Sequence, residues 1–222
     1  MSGTQNRRSG QFVETSADVG GPLRGAAKKR KFCTIRGRTA SRASGFEVLN
    51  GQALFLTGPR TFLPPLGRRG FRDYPERPVF MADARIGRLH RDFEEYSGYW
   101  FVSVKMKRVL QDIDPEAFEF LECEVRSAEG ERQPPRFLCD VTRILDAVDE
   151  PRSTVQAATA SDGSRYYRLL SDSILAFKEE VVGRSHVFRM KYFEAAVVCD
   201  DEFRQACRSA ELKGISFDDR SR

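Results

Sequence analysis

The sequence predicts an α+β protein: a single compact domain of mixed or antiparallel sheet with two strand–helix–strand units, preceded by a basic, flexible extension. Three observations lead to this prediction. The 222 residues are 40% hydrophobic and include 17 Phe, which is enough apolar surface for a packed core. Most apolar segments alternate as strands do, and two have helical spacing. Residues 1–77 carry 15 Lys and Arg against five Asp and Glu, a net charge of +10, which leaves −5 for residues 78–222.

Residues 1–77 are predicted to form a largely disordered extension. Gly, Ser, Ala and Arg dominate residues 1–45, and such a segment cannot bury enough surface to offset its ordering entropy. Residues 46–56 differ, because two apolar runs flank Asn50-Gly51, a dipeptide typical of a type I′ turn, so we predict a hairpin there. Pro, Gly and Arg return over 57–78 as a linker or wrapping loop. The folded domain is predicted to span residues 78–222.

The first strand–helix–strand unit begins with the aromatic strand at 98–103. Its helix is predicted from apolar residues at i, i+3, i+4 and i+7, namely Met106, Val109, Leu110 and Ile113. The hydroxyl of Ser103 can cap the first turn, and Asp114-Pro115 ends the helix. Residues 118–125 alternate with one slip, which predicts a strand with a bulge.

The second unit repeats this arrangement 97 residues later. Residues 195–199 form an apolar strand, Asp200 is the predicted N-cap, and Phe203, Ala206 and Cys207 fall on Met106, Val109 and Leu110. The shared local structure is the firm conclusion, and an internal duplication is the less favoured explanation. Further strands are predicted at 136–141, at 186–192, at 215–217 and on both sides of Asp162-Gly163.

The five cysteines and two histidines match no metal-binding or catalytic pattern. There is no C-x-x-C pair and no cysteine with zinc-like spacing to a histidine. Four of the cysteines lie in apolar segments, which favours buried free thiols and a reducing compartment. Cys199 and His186 could form a nucleophilic pair, but a buried cysteine is the favoured interpretation. We therefore predict no enzyme, no cofactor and no metal site.

Two charged segments remain. Residues 28–31 (KKRK) resemble a nuclear-import signal or a phosphate-binding arm, although a solvated arm is the simpler interpretation. Residues 111–124 carry acids without a single base. A solvated face would explain them, and the alternative is an acidic face that attracts a basic partner. On that alternative the predicted partner-binding residues are Asp112, Asp114, Glu116, Glu119, Glu122 and Glu124.

An ordered series of short motifs from about residue 81 to residue 217 resembles the immunity-protein domain family of bacterial polymorphic toxin systems. Each motif is weak alone, and the order and spacing carry the resemblance. The series comprises residues 87–89 (GRL), 92–93 (DF), 100–103 (WFVS), 106–110 (MKRVL), 136–149 (RFLCDVTRILDAVD) with Ser153, 186–189 (HVFR), 197–201 (VVCDD) and 212–217 (LKGISF).

The resemblance implies a protein that binds a cognate toxin and neutralises it without catalysis in the cytoplasm of the producing cell. The toxin gene would be adjacent. The longest apolar runs fall far short of the ~20 residues that a membrane helix needs, so we expect no membrane contact. The resemblance does not fix the interface residues, and the oligomeric state stays open. The alternative hypothesis is a nucleic-acid-associated accessory protein that acts through the basic arm at residues 1–45.

Overall fold

The computed structural model describes residue 1 and residues 30–38, 43–54, 62, 67–89, 91–170 and 172–220. The strands are β1 (Phe32–Gly37), β2 (Phe46–Val48), β3 (Val79–Ala82), β4 (Phe93–Tyr96), β5 (Tyr99–Ser103), β6 (Phe118–Ser127), β7 (Arg132–Val141), β8 (Ile144–Leu145), β9 (Gln156–Thr159), β10 (Arg165–Arg168), β11 (Val187–Met190), β12 (Phe193–Asp200) and β13 (Ile215–Asp219). The α-helices are α1 (Gly51–Leu54), α2 (Val104–Ile113), α3 (Glu179–Val182) and α4 (Asp201–Ser209).

The strands form two large sheets and a separate hairpin. The six-stranded sheet has the order β2-β3-β6-β7-β5-β4, and the five-stranded sheet has the order β13-β1-β12-β11-β8. Most neighbours are antiparallel, whereas β3–β6 and β8–β11 are parallel. The predicted α+β class is confirmed, and parallel and antiparallel pairs occur together, as the predicted mixed sheet allows.

The main core lies where the inner faces of both sheets meet the two longer helices. Because side chains alternate along a strand, β1 turns Cys33 and Ile35 into this core and Phe32 to the opposite side. Met106 of α2 and Phe203 of α4 are fully buried in the same cluster. Two further clusters cover the outer faces of the sheets. The helices therefore help to hold the two sheets together.

Both predicted helix caps are confirmed. The Ser103 hydroxyl accepts a hydrogen bond from the Met106 N–H at 3.1 Å, and the Asp200 carboxylate accepts one from the Phe203 N–H at 3.0 Å. Each cap satisfies an amide that has no partner within its helix. β6 carries a bulge, as predicted, but not at the slip in alternation between residues 120 and 121: its register against β7 shifts between residues 123 and 125.

The flexible arm predicted for residues 1–45 is wrong for residues 32–37, which form β1. This strand lies inside the five-stranded sheet, paired with β12 on one side and β13 on the other. The sequence FCTI supplies four good strand residues, but its Gly- and Arg-rich neighbours masked that signal. Strand pairing thus crosses the boundary predicted between residues 77 and 78. Residues 2–29 lie outside the described residues, so a disordered extension over them stays a prediction.

The hairpin predicted for residues 46–56 is also wrong. β2 pairs with β3, more than thirty residues later in the sequence, and Gly51 begins the short helix α1. Asn50 explains the difference, because its side-chain amide donates to the Arg77 carbonyl and its Oδ1 accepts from the Val79 N–H. The side chain thereby fastens this segment to the start of β3 instead of forming a turn. Residues 55 and 56 lie outside the described residues.

Part of the predicted linker or wrapping loop packs against the six-stranded sheet. We call residues 67–77 the Arg69 loop. Asp140 of β7, which is fully buried, accepts two hydrogen bonds from Arg69 and one from the Gly70 N–H. Arg189 of β11 donates to the same carboxylate at 2.9 Å. One buried acid therefore ties the loop to both sheets, and its two arginines satisfy its charge.

Candidate interaction surface

The acidic segment 111–124 falls into three environments. Asp112 is exposed in the last turn of α2, and Glu116 is 90% exposed in the 3₁₀ turn that follows. Asp114 is buried between them. The remaining members lie on β6 and are Glu119, Glu122 and Glu124. The carboxylates are adjacent in sequence, but they differ in exposure and in partners.

Asp114 serves the fold instead of presenting its charge. It is 7% exposed and ends α2. Its carboxylate accepts hydrogen bonds from the Arg143 guanidinium and from the backbone N–H of His186. The carboxylate of Asp114 is therefore engaged in contacts inside the protein.

The three glutamates of β6 are paired with arginines of the same chain. Glu119 accepts from the Phe71 N–H at 2.8 Å and lies 3.3 Å from Arg68, both in the Arg69 loop.

Arg77, also in the Arg69 loop, pairs with Glu122 at 2.9 Å. A hydrogen bond from Arg126 lowers the pKa of Glu124 below its ordinary value. The acidic field is weaker than the sequence suggests, because arginines from distant positions in the sequence offset it.

The helices α2 and α4 pack antiparallel, as their shared contacts show. At one end, the Asp92 carboxylate accepts from the Ser103 hydroxyl, which begins α2, and from the Lys213 N–H, just beyond α4. At the other end, His186 donates its backbone N–H to Asp114, which ends α2, and its ring contacts Asp200, which begins α4. The start of α2 therefore lies beside the end of α4.

Exposed cations collect at the end of this helix pair where α2 begins. They are Lys105 and Arg108 of α2 with Arg208 and Lys213 at the end of α4. None of them forms an ion pair with another residue in the described ranges. In α4 the acids lie in the first turn and Arg208 in the last, as the helix dipole favours. In α2 the charges run the other way, with Lys105 in the first turn and Asp112 in the last.

The thiols are buried in the core, which confirms the interpretation of the cysteines as small hydrophobic residues. All five are free, and burial raises the pKa of each. Cys199 is fully buried, and the Nδ1 atom of His186 lies 2.9 Å from Asp200. These contacts do not favour a Cys199–His186 nucleophilic pair. Within the described part of the chain, no group of three or more His, Cys, Asp or Glu residues is placed to hold a metal ion.

The fold and its surface define a two-sheet α+β protein whose longest helices present an exposed, charge-segregated face. A comparison with protein families identifies the family within this class: the model of the Imm11 immunity protein family matches residues 31–222. The chain belongs to this immunity protein family. The match begins in front of β1, so it includes the early strands that the sequence interpretation had assigned to the extension. No curated protein matches the chain.

None of the helices in the described ranges is long and apolar enough to span a membrane.

The group of exposed cations at the start of α2 and the end of α4 was not predicted from the sequence. Its members are separated by about a hundred residues, and only the antiparallel packing of α2 and α4 brings them together. One signal was available, because the 97-residue shift places Lys105 on Glu202. A lysine and a glutamate at the same early helical position cannot both suit the helix dipole.

Proposed function

We propose that this chain binds a cognate toxin, encoded by an adjacent gene, and blocks it stoichiometrically in the cytoplasm of the producing cell. The observation that carries the proposal is the family match over residues 31–222, which covers every strand and α-helix described above. The inhibition is non-catalytic and works by covering a functional surface of the toxin. The comparisons give no support to the alternative of a nucleic-acid accessory protein.

The distribution of reactive side chains supports a mechanism by binding. The thiols are buried with raised pKa values, and Asp114, Asp140 and Asp200 are engaged in internal ion pairs. Asp112, Lys105 and Arg208 are exposed and form no ion pair within the described ranges, so they can meet a partner. Long-range fields from such groups accelerate association and select partners of complementary charge.

We also propose that the acidic segment contributes to this contact, with Asp112 and Glu116 in the leading role. Both are exposed, and Glu116 lies 3.9 Å from Arg143, whose main partner is Asp114. Glu119, Glu122 and Glu124 contribute less, because nearby arginines share their charge.

The proposal is tested by expressing the adjacent reading frame with and without this chain. We expect growth arrest from that frame alone and normal growth when the full chain is co-expressed. Purified together, the two proteins should elute as one complex. A frame that is harmless alone, or that arrests growth equally in both cases, would contradict the proposed function.

The contribution of the acidic segment is tested by the double substitution Asp112→Lys/Glu116→Lys. Association with the toxin should slow by about tenfold at low salt, since reversed charges remove favourable steering. The matched control is Glu129→Lys/Glu131→Lys in the exposed β6–β7 turn, which changes the net charge equally. Equal rates for the two variants would place the interface elsewhere.

A further inference from the structure

A second charged surface lies at the end of the α2–α4 helix pair where α2 begins. Its sign is opposite to that of Asp112 and Glu116 at the other end. We define the basic end as Lys105, Arg108, Arg208 and Lys213 together with Arg38 and Arg91. These six residues come from four separate parts of the sequence. The fold brings them together without placing an acid of an ion pair among them within the described ranges.

Backbone contacts around Gly214 fix the arrangement. The Arg38 N–H donates to the Gly214 carbonyl at 2.7 Å, and the Arg91 guanidinium donates to the Arg38 carbonyl at 2.7 Å. Gly214 has a φ of +97°, and a Cβ there would lie 2.3 Å from the Phe93 carbonyl oxygen and 3.1 Å from Arg91. Only glycine permits this close approach, so the positions of Arg38, Arg91 and Lys213 are set by the main chain.

A depression of about 240 Å³ opens beside these cations. Arg38 and Arg208 line it, and its apolar part is contributed by Leu212, Ile215 and Phe217. Among the residues that the structure describes, no acid lines it. A partly apolar hollow bordered by cations matches the usual interface plan, in which an apolar anchor is surrounded by charged contacts.

The acids nearest in sequence leave the positive charge largely unopposed. Asp92 already accepts hydrogen bonds from Ser103 and from the Lys213 N–H. Glu211 is exposed on the turn after α4. Of these two acids, Asp92 is occupied by capping contacts.

Helix stability does not account for the charge of Lys105. Lys105 is the second residue of α2, where the helix dipole favours an acid, and Ser103 already caps that turn. The same position in α4 is Glu202. Arg69, Arg88 and Arg143 pair with carboxylates of the chain, whereas Lys105 has no such partner in the described ranges and lies against the dipole of α2, which points to a partner outside the chain.

We propose that the basic end binds an acidic surface of the toxin, with an apolar toxin side chain seated in the depression. The inference rests on the proposed function and adds to it the chemistry of the partner surface: Asp and Glu residues around one apolar anchor. The depression favours a protein partner, because an apolar hollow offers nothing to a phosphate backbone.

The test compares Arg208→Glu/Lys213→Glu with the wild-type full chain, using as probe the product of the adjacent reading frame. We expect association to slow at least about tenfold at low salt and to lose much of its salt dependence. Arg208→Lys/Lys213→Arg, which preserves charge, should associate at the wild-type rate. The matched control Arg168→Glu/Lys191→Glu alters two exposed cations, on β10 and in the turn between β11 and β12, and should associate within about twofold of wild type.

Each outcome decides the proposal. Equal slowing of association in the control variant would mean that the change in net charge alone explains the effect. An unchanged association rate in Arg208→Glu/Lys213→Glu would place the contact elsewhere. Displacement of the toxin by single-stranded RNA that binds the basic end would assign this surface to nucleic acid. All three results overturn the inference but leave the proposed function standing, provided the wild-type chain binds the toxin. Failure of the wild-type chain to bind removes both.

Discussion

The two strand–helix units share a backbone plan and differ in their charges. In each, the strand ends at a polar residue that caps the helix, and the third helical residue, Met106 or Phe203, is fully buried in one common core. The charges of α4 suit its own dipole, whereas Lys105 and Asp112 of α2 oppose theirs. Each charge of α2 instead has the same sign as the charges at the end of α4 that lies beside it. Position on the surface, more than helix stability, therefore determines the charges of α2.

The largest expected difference between the two units is the contribution of their helix caps, Ser103 and Asp200, to the stability of the protein. Asp200→Ala should lower the free energy of unfolding by about 3 kcal/mol, because it removes a cap and leaves a largely buried cation unpaired. Asp200 is 2% exposed and bonds Arg30 and His186 in addition to capping α4. Ser103→Ala should cost about 1 kcal/mol, since mainly a cap is lost. Urea unfolding of both variants measures the difference.

Asp201→Ala is the control for this comparison. Asp201 is adjacent to Asp200 but is 38% exposed, and it pairs with Arg204 one turn along the helix. Its loss should cost less than about 1 kcal/mol. Equal costs for Asp200→Ala and Ser103→Ala would mean that the extra ion pairs of Asp200 add nothing to its cap.

Local sequence patterns predicted both units well, because the signals that define them are short-range. Helical spacing, the caps at Ser103 and Asp200, and the interruption at Asp114-Pro115 all act within a few residues. The hairpin at Asp162-Gly163 was predicted for the same reason and is confirmed by β9 and β10. Such features need no knowledge of the rest of the chain.

Features that depend on long-range pairing could not be predicted in this way. β1 looked like part of a flexible arm, since its partners β12 and β13 lie more than 150 residues away. Asn50 looked like a turn residue, whereas its contacts are with Arg77 and Val79. The acidic segment looked unopposed, because Arg68 and Arg77 reach it only after folding.

The second unit should also be more sensitive to alkali than the first. Cys207 of α4 corresponds to Leu110 of α2, and burial raises the pKa of Cys207 to about 12. The folded state therefore keeps a proton that the unfolded state releases above about pH 9. Stability should fall as the pH rises from about 9 towards 12, by about 2 kcal/mol for this thiol between pH 9 and 11.

Urea unfolding of Cys207→Ala at several alkaline pH values measures this contribution. The variant should lose stability less steeply than wild type over that interval. Leu110→Ala is the control, because it opens a cavity at the corresponding position, larger than that left by Cys207→Ala, without removing a titrating group. Parallel curves for wild type and Cys207→Ala would contradict the prediction.

The smallest expected effect concerns the difference in charge between α2 and α4. Lys105→Glu should raise the free energy of unfolding by about 0.3–1 kcal/mol, because an acid at the second position of α2 suits the helix dipole. Glu202→Lys, the reverse change at the second position of α4, should lower it by a similar amount. Thermal unfolding at low ionic strength measures both effects, and high salt should reduce them, since these side chains are exposed.

The Lys105→Glu variant also separates stability from binding. If Lys105 is retained for the toxin, Lys105→Glu should fold more stably and yet associate more slowly with the product of the adjacent reading frame. Lys105→Gln is the control, since it removes the charge without adding an acid and should show about half of each effect. A Lys105→Glu variant that is both less stable and unchanged in association would show that this lysine serves the fold, and the contrast between α2 and α4 would then need another cause.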